Sequence, residues 1–398
     1  MVLNMKTLIW IALPCFLGAD PPLTLEDVLS KSRVPIERLN VYASLAEVSR
    51  QIKDASGLLR ESPSVSVSAG PRTNSVTPTT TDQTVEIDAP LLLNRRPARQ
   101  LASSLDSATP LVYTATDLEN RLSIQKAFLD TWLAEQIEAI RSEDKTQVNN
   151  WLEIARIRSE SGADPAFQLE LVKGEFVKSH LDWEEAKRAH LQAWNILKSL
   201  ADLPTSPQSL VYNQGKNIVQ KGELRALELE SSYQNGVLRR SAIARQSIEL
   251  NQINLQAAIS NSRWSISGSH TKESDDRITK IGIAYKFPRS GEMSAIKAEQ
   301  RSRTEVTKRN TELELSELDL RFASALQTIE SSAHYPDIPD TTTSIDALTM
   351  RLKEGKDQPS DVIPMRRQFL EIRIAELLRQ YSLYLAYAEL QTLTAGNI

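Results

Sequence analysis

Proline placement constrains this chain more than any other feature. All 18 prolines fall outside the windows 111–164, 166–203, 208–287, 289–335 and 365–398. An interior proline costs a helix about 3 kcal/mol, because it removes an N–H and its ring clashes with the preceding turn. Long helices are therefore permitted in those windows. Apolar residues follow a three-four spacing through Leu169, Val172, Phe176, Trp183, Ala186, Ala193, Leu197 and Leu200, broken at Ser179 and His190. A second seam runs Leu370, Ile374, Leu377, Tyr381, Tyr384 and Ala388. Charged residues such as Glu184, Glu185, Lys187 and Arg188 lie off the seam, which is the pattern of coiled-coil helices. A helix from Pro110 to Ser161 would be on the order of 75 Å long. A rod is thus predicted, rather than the two or three globular domains that this length suggests at about 100–200 residues each.

With 51 acidic and 47 basic residues, a formal charge of −4 gives no bulk attraction for nucleic acid. The one cysteine, Cys15, allows no internal disulfide and no cysteine metal site. Four scattered histidines make no metal tract, and neither a metal nor a cofactor is expected. Residues 1–19 carry Lys6, the apolar run Leu8 to Leu17, then Gly18 and Ala19. This reads as a secretory signal cleaved after Ala19. About ten apolar residues are too few for a spanning helix, which needs ~20, and Pro14 before Cys15 argues against acylation. A Gly-rich phosphate loop, a His-x-x-x-His pair and a serine elbow are all absent from the sequence, so no enzyme is expected.

Four short segments alternate with period two instead of 3.6. Ser62, Ser64, Ser66 and Ser68 oppose Pro63, Val65, Val67 and Ala69, while Thr84, Glu86 and Asp88 oppose Val85, Ile87, Ala89 and Leu91. Farther on, Trp264 and Ile266 oppose Ser265, Ser267 and Ser269, and Ile281, Ile283, Tyr285 and Phe287 oppose Lys280, Gly282, Ala284 and Lys286. The two hairpins, about 62–91 and 262–288, have the length of tilted membrane strands, about 9–11 residues. Surface hairpins packed on the helices are the other reading. Two hairpins beside coiled coils, however, make no sheet large enough to cover both apolar faces.

The order of features repeats. Pro90 and Pro288 each close a hairpin before a helix, and Gly162 and Gly355 each separate two seams. The predicted organisation is a signal (1–19), a first repeat (20–203), a polar linker (204–220) and a second repeat (221–398). Each repeat reads helix, hairpin, helix, glycine turn, helix.

These residues resemble the TolC-type outer membrane efflux proteins, especially the branch serving resistance-nodulation-division pumps for metals and drugs. The resemblance rests on Leu23-Thr24-Leu25-Glu26-Asp27-Val28-Leu29, on Ser62 to Ser68, on Pro90 and Pro288, on Gly355 followed by Ser360-Asp361-Val362-Ile363, and on Leu383 to Leu393 with the YLAYAELQTLTAG ending. It covers nearly the whole mature chain. It implies a mainly α protein with a small β part. Three chains would pool four strands each into a twelve-stranded outer membrane barrel above a helical periplasmic tunnel. Four strands cannot close a barrel alone, because lipid does not tolerate open edges.

On that resemblance, Glu86, Asp88, Lys280 and Lys286 would line the lumen, and Trp264, Tyr285 and Phe287 would sit at the membrane interface. Asp361 and Asp357 are the gate candidates, and an acidic ring of this kind favours cations. First-turn capping is the other reading of Asp361. Gly162, Ala163, Asp164, Gly355 and Lys356 form tips that a periplasmic membrane-fusion adaptor would contact, beneath an inner-membrane pump. The implied role is the passive exit duct of a tripartite efflux system. A type I protein-secretion channel is the alternative within that class; a periplasmic coiled-coil adaptor or structural envelope protein is the alternative outside it.

Overall fold

The computed structural model describes residues 22–32, 47–48, 50–51, 64–74, 77–90, 95–212, 226–261, 263–273, 276–287, 290–333 and 341–394. The expected signal segment, Pro288, residues 334–340 and the end of the expected linker lie outside them. In order, the elements are β1 (Leu23–Thr24), α1 (Leu25–Ser30), β2 (Ser64–Asn74), β3 (Thr77–Pro90), α2 (Arg96–Glu160), α3 (Ala166–Leu200), β4 (Leu210–Val211), α4 (Ala226–Gln234), α5 (Val237–Asn261), β5 (Trp264–Glu273), β6 (Asp276–Tyr285), α6 (Glu292–Ala333), α7 (Thr341–Lys353) and α8 (Pro359–Leu393).

The chain divides into two compact units, and each takes segments from both sequence halves. One is formed from residues 1–33, 124–220 and 336–381, the other from 34–123, 221–335 and 382–398. No described helix is long and apolar enough to cross a membrane.

The first unit is a helical bundle whose core gathers Trp151, Ala155, Val172, Leu348, Leu352, Val362 and Ile363. The Trp151 indole N–H donates to Thr349 Oγ1 at 2.9 Å. The inward stripe of α3 is Gln168, Val172, Glu175, Ser179, Ala186, His190, Trp194 and Leu197. Ser179 and His190 therefore belong to the seam they interrupt in the sequence, and Glu175 and Trp194 replace the neighbouring Phe176 and Ala193. Partners make this burial tolerable: Ser179 donates to the Phe176 carbonyl, His190 Nδ1 lies 2.7 Å from Glu138, and Glu175 meets two arginines.

Helix α1 opens with a capping box, Thr24 accepting from the Asp27 N–H while Asp27 accepts from the Thr24 N–H. Leu23 and Thr24 pair in parallel with Leu210 and Val211. The first part of the expected linker is thus anchored, with Leu210 buried and its N–H donating to Glu135.

In the second unit Tyr233 stacks on Phe322, centroids 4.3 Å apart, within a core that includes Leu229, Leu238, Leu318, Ala386, Leu390 and Leu393. Helix α2 starts at Arg96 rather than at Pro110, which lies in its interior. The lost backbone bond is one among the many of a long helix, so the helix tolerates it.

Candidate functional site

The second unit carries one four-stranded sheet, ordered β2-β3-β5-β6 and antiparallel throughout. Its strands outrun the alternating segments of the sequence: β2 continues to Asn74 and β3 begins at Thr77. This added stretch is threonine-rich and has no apolar alternation to read, yet threonine suits a pleated backbone.

Register sorts the side chains onto two faces. Ser66, Glu86, Ser269 and Lys280 form one cross-strand row, and Ser64, Asp88, Ser267 and Gly282 the next. The opposite face holds Val65, Ile87, Gly268 and Ile281 in one row, with Ala89, Ile266 and Ile283 beside it. Glu86, Asp88 and Lys280 therefore share a polar face. Lys286 continues its parity just past β6, where its N–H donates to the Arg263 carbonyl.

Among the described residues no core covers the apolar face: Val67 is 73% exposed, Ile281 83% and Ile283 71%. Trp264 lies opposite Tyr285, with ring centroids 4.9 Å apart, and Tyr285 meets Phe287 edge-on at 5.0 Å. This aromatic cluster marks the end of the sheet at which α5 enters and α6 leaves. The outer edges of β2 and β6 have no partner strand among the described residues.

The first unit carries two helical turns of one design. Gly162 has φ of +75° and Gly355 of +73°, the left-handed conformation that glycine adopts without strain. The Ala163 N–H reaches the Arg158 carbonyl, and the Lys356 N–H reaches that of Arg351, so both helices end in the same closing bond. Arg158 holds Asp164 through two bonds of 2.6 Å, and Arg351 holds Asp357 through a pair of 2.7 and 2.8 Å. Each aspartate thus ties its turn back to the preceding helix.

The two turns differ in where the pair sits. Asp164 is only 7% exposed, and its arginine also donates from Nη1 to the Leu352 carbonyl at 3.0 Å. Arg158 therefore caps the C-terminus of α7 as well as its own turn. The Asp164 hydrogen bond is the largest cause raising the Arg158 guanidinium above its ordinary value.

Asp361 lies exposed in the first turn of α8, its carboxylate 3.4 Å from the Gln358 N–H. Gln168 reaches the same helix start, accepting from the Ser360 N–H at 3.1 Å and donating to Gln358. Ala163 and Lys356 are exposed, and Lys356 pairs with Glu354.

Sequence reasoning missed Arg158, Arg351 and Gln168. The arginines had a signal in the repeated Arg-x-x-x-Gly-x-Asp of both turns; Gln168 had none. Arg158→Lys is expected to cost about 2 kcal/mol, because an ammonium cannot serve both Asp164 oxygens and the Leu352 carbonyl. Urea unfolding in detergent measures it, and an unchanged midpoint would remove Arg158 from the turn's support.

No protein-family model and no curated protein matches the sequence. Solved structures do match the fold. The Campylobacter jejuni CmeC outer membrane channel is 15% identical with a TM-score of 0.70, covering 94% of this chain and 86% of its own. The outer membrane protein VceC from Vibrio cholerae is 14% identical with a TM-score of 0.66, covering 94% and 95%. The Neisseria gonorrhoeae MtrE outer membrane channel, in its open state, is 14% identical with a TM-score of 0.58, covering 94% and 88%. The chain therefore has the outer-membrane-channel fold that its TolC-type resemblance implies.

Proposed function

We propose that this protein is an outer membrane exit duct of an efflux system, assembled as a homotrimer. The four-stranded amphipathic sheet carries the reading. One of its faces is apolar and uncovered, the other charged, and both outer edges are open among the described residues. Lipid against the first face and water against the second satisfies both, and pooling strands with two further copies removes the edges. The Val65, Ile87, Ile281 and Ile283 face meets lipid; Glu86, Asp88, Lys280 and Lys286 line the pore.

The helices support association between copies. Val306, Leu313 and Leu320 recur at heptad spacing on α6, each more than half exposed, the seam of an unfilled coiled-coil contact. Near the turns, Ile157, Phe167 and Met350 are likewise more than half exposed. They flank Gly162, Ala163, Gly355 and Lys356 as a docking surface for a periplasmic adaptor beneath an inner-membrane pump, whereas Asp164 shapes its turn from inside.

The test is a detergent-extracted, heat-modifiable trimer that conducts ions through a planar bilayer. A water-soluble, non-conducting monomer would sink the proposal and favour the periplasmic adaptor class. Within the reading, Asp361 is a gate acid as well as a first-turn residue. Asp361→Ala is expected to raise single-channel conductance or antibiotic leakage, and unchanged conductance removes it from the gate.

A further inference from the structure

The apolar face of the sheet changes character along its length. The end where α5 enters and α6 leaves carries Trp264, Tyr285 and Phe287. Val65, Ile87, Ile266, Ile281 and Ile283 fill the middle. At the opposite end β5 and β6 turn polar on this same face: His270 lies across from Thr279, and Gln83, Lys272 and Arg277 make the row beyond. All five are exposed, and His270 Nδ1 is 2.9 Å from Thr279 Oγ1.

Register sorts charge as well as hydrophobicity. Glu86 and Asp88 take the other face, and so in the ladder do positions 82, 273 and 276, the remaining acids of the four strands. No acid of the sheet thus shares a face with Lys272 and Arg277, and neither cation has an ion pair among the described residues. Like charges directly opposite each other on neighbouring strands are destabilising, and an anion seated between them relieves the repulsion. An ammonium and a guanidinium fork together suit phosphate oxygens.

Spacing identifies the anion's setting. Along β5, Lys272 lies about 27 Å from Trp264 at about 3.4 Å per residue, or about 20 Å in depth at a strand tilt of about 40°. The apolar band of an outer membrane barrel is about 25 Å tall, and long basic side chains extend past its margin. The aromatic cluster and the cationic row therefore stand at opposite surfaces of one bilayer.

We propose that this row, with Lys272 and Arg277 as its clamp and His270 and Gln83 beside them, binds the phosphate of lipid A, the phosphorylated glycolipid of the outer leaflet. The assignment rests on the channel reading, which puts the sheet in the outer membrane with its helix-bearing end inward. The clamp holds one margin of the sheet at the outer headgroups, while the aromatic rings hold the other.

The test titrates lipid A, phosphatidylglycerol or phosphatidylcholine into the intact detergent-solubilised protein and into a Lys272→Gln/Arg277→Gln variant, counting bound lipid by native mass spectrometry. The unaltered protein is expected to favour lipid A over both other lipids, and the variant to lose about fivefold in lipid A affinity per cation removed. Lys308→Gln/Arg309→Gln removes the same charge from exposed positions on α6 and should leave lipid A binding unchanged; an equal fall there assigns the effect to net charge and overturns the proposal. A Lys272→Gln/Arg277→Gln variant that keeps the preference overturns it too, as does equal binding of phosphatidylglycerol, or displacement of lipid A by inorganic phosphate at matching concentration. Flotation with phosphatidylcholine vesicles after detergent removal separates the site from the reading beneath it. A protein that floats without preferring lipid A loses only the clamp, whereas one that fails to float loses the channel reading and the clamp together.

Discussion

Replacing Arg366 with methionine is expected to destabilise the protein by about 3–5 kcal/mol, the cost of stranding buried carboxylates. Arg366 is 3% exposed, Asp144 likewise 3% and Glu175 6%. The guanidinium lies 3.3 Å from Asp144 and 2.9 Å from Glu175, with Arg367 closing on Glu175 from the exposed side. Its carbon lies 5.7 Å from the centre of the Trp151 ring, so the cluster sits against the principal aromatic of the bundle. The alignment toward Asp144 is imperfect: the Asp144 Oδ1 atom and two Arg366 nitrogens make no hydrogen bond.

Burial pushes the Asp144 carboxyl above its ordinary value, with Arg366 the main opposing influence, and burial likewise lowers the Arg366 guanidinium. Removing the guanidinium lets Asp144 rise further. A carboxyl raised in the folded state contributes stability that is complete below its unfolded value of 3.8 and is lost as pH climbs through the folded value. The Arg366→Met deficit should therefore be smallest in acid and grow from about pH 3.8 upward. Adding Asp144→Asn should recover part of it. Urea unfolding in detergent, followed by tryptophan fluorescence across pH, gives both readings. A deficit below about 1 kcal/mol that ignores pH would mean that water, rather than Arg366, solvates the two acids.

The long helices and the sheet were legible because their signals are local. Proline windows and period-two alternation depend only on neighbours in the chain, and Val65, Ile87, Ile281 and Ile283 take the common face that alternation predicts. The polar seam was not legible in this way. Glu175 on α3 reads as a solvated-face acid, and only Arg366 and Arg367, distant in sequence, make its burial affordable. Asp357 illustrates the same limit. The resemblance offers it as a gate acid; that Arg351 also holds it in the turn is visible only beside the matching Arg158 and Asp164. The extent of β2 and β3 was hidden for a different reason: Thr77, Thr80 and Thr81 pair across the ladder with no apolar face to mark them.

Gly355→Ala should destabilise by about 3–4 kcal/mol, whereas Gly162→Ala should cost only about 1–2 kcal/mol. Both glycines hold left-handed φ within a few degrees of each other, so the backbone penalty of a Cβ is common to the two. Their surroundings differ. Around Gly162 a Cβ meets nothing within 4 Å, while at Gly355 it falls 2.9 Å from Arg158 Nη1. That nitrogen is the one that caps the Leu352 carbonyl, on a side chain already fixed at its other end by Asp164. Accommodating the methyl means withdrawing Arg158 and leaving a helix-end carbonyl and a buried aspartate short of their donor. Arg158→Ala should accordingly bring the two alanine variants to nearly equal incremental cost, since the clash disappears and only the backbone term remains. The six unfolding free energies of these two cycles decide the matter: equal penalties for Gly162→Ala and Gly355→Ala in the unaltered protein would show that Arg158 yields freely and that the two turns do not depend on it.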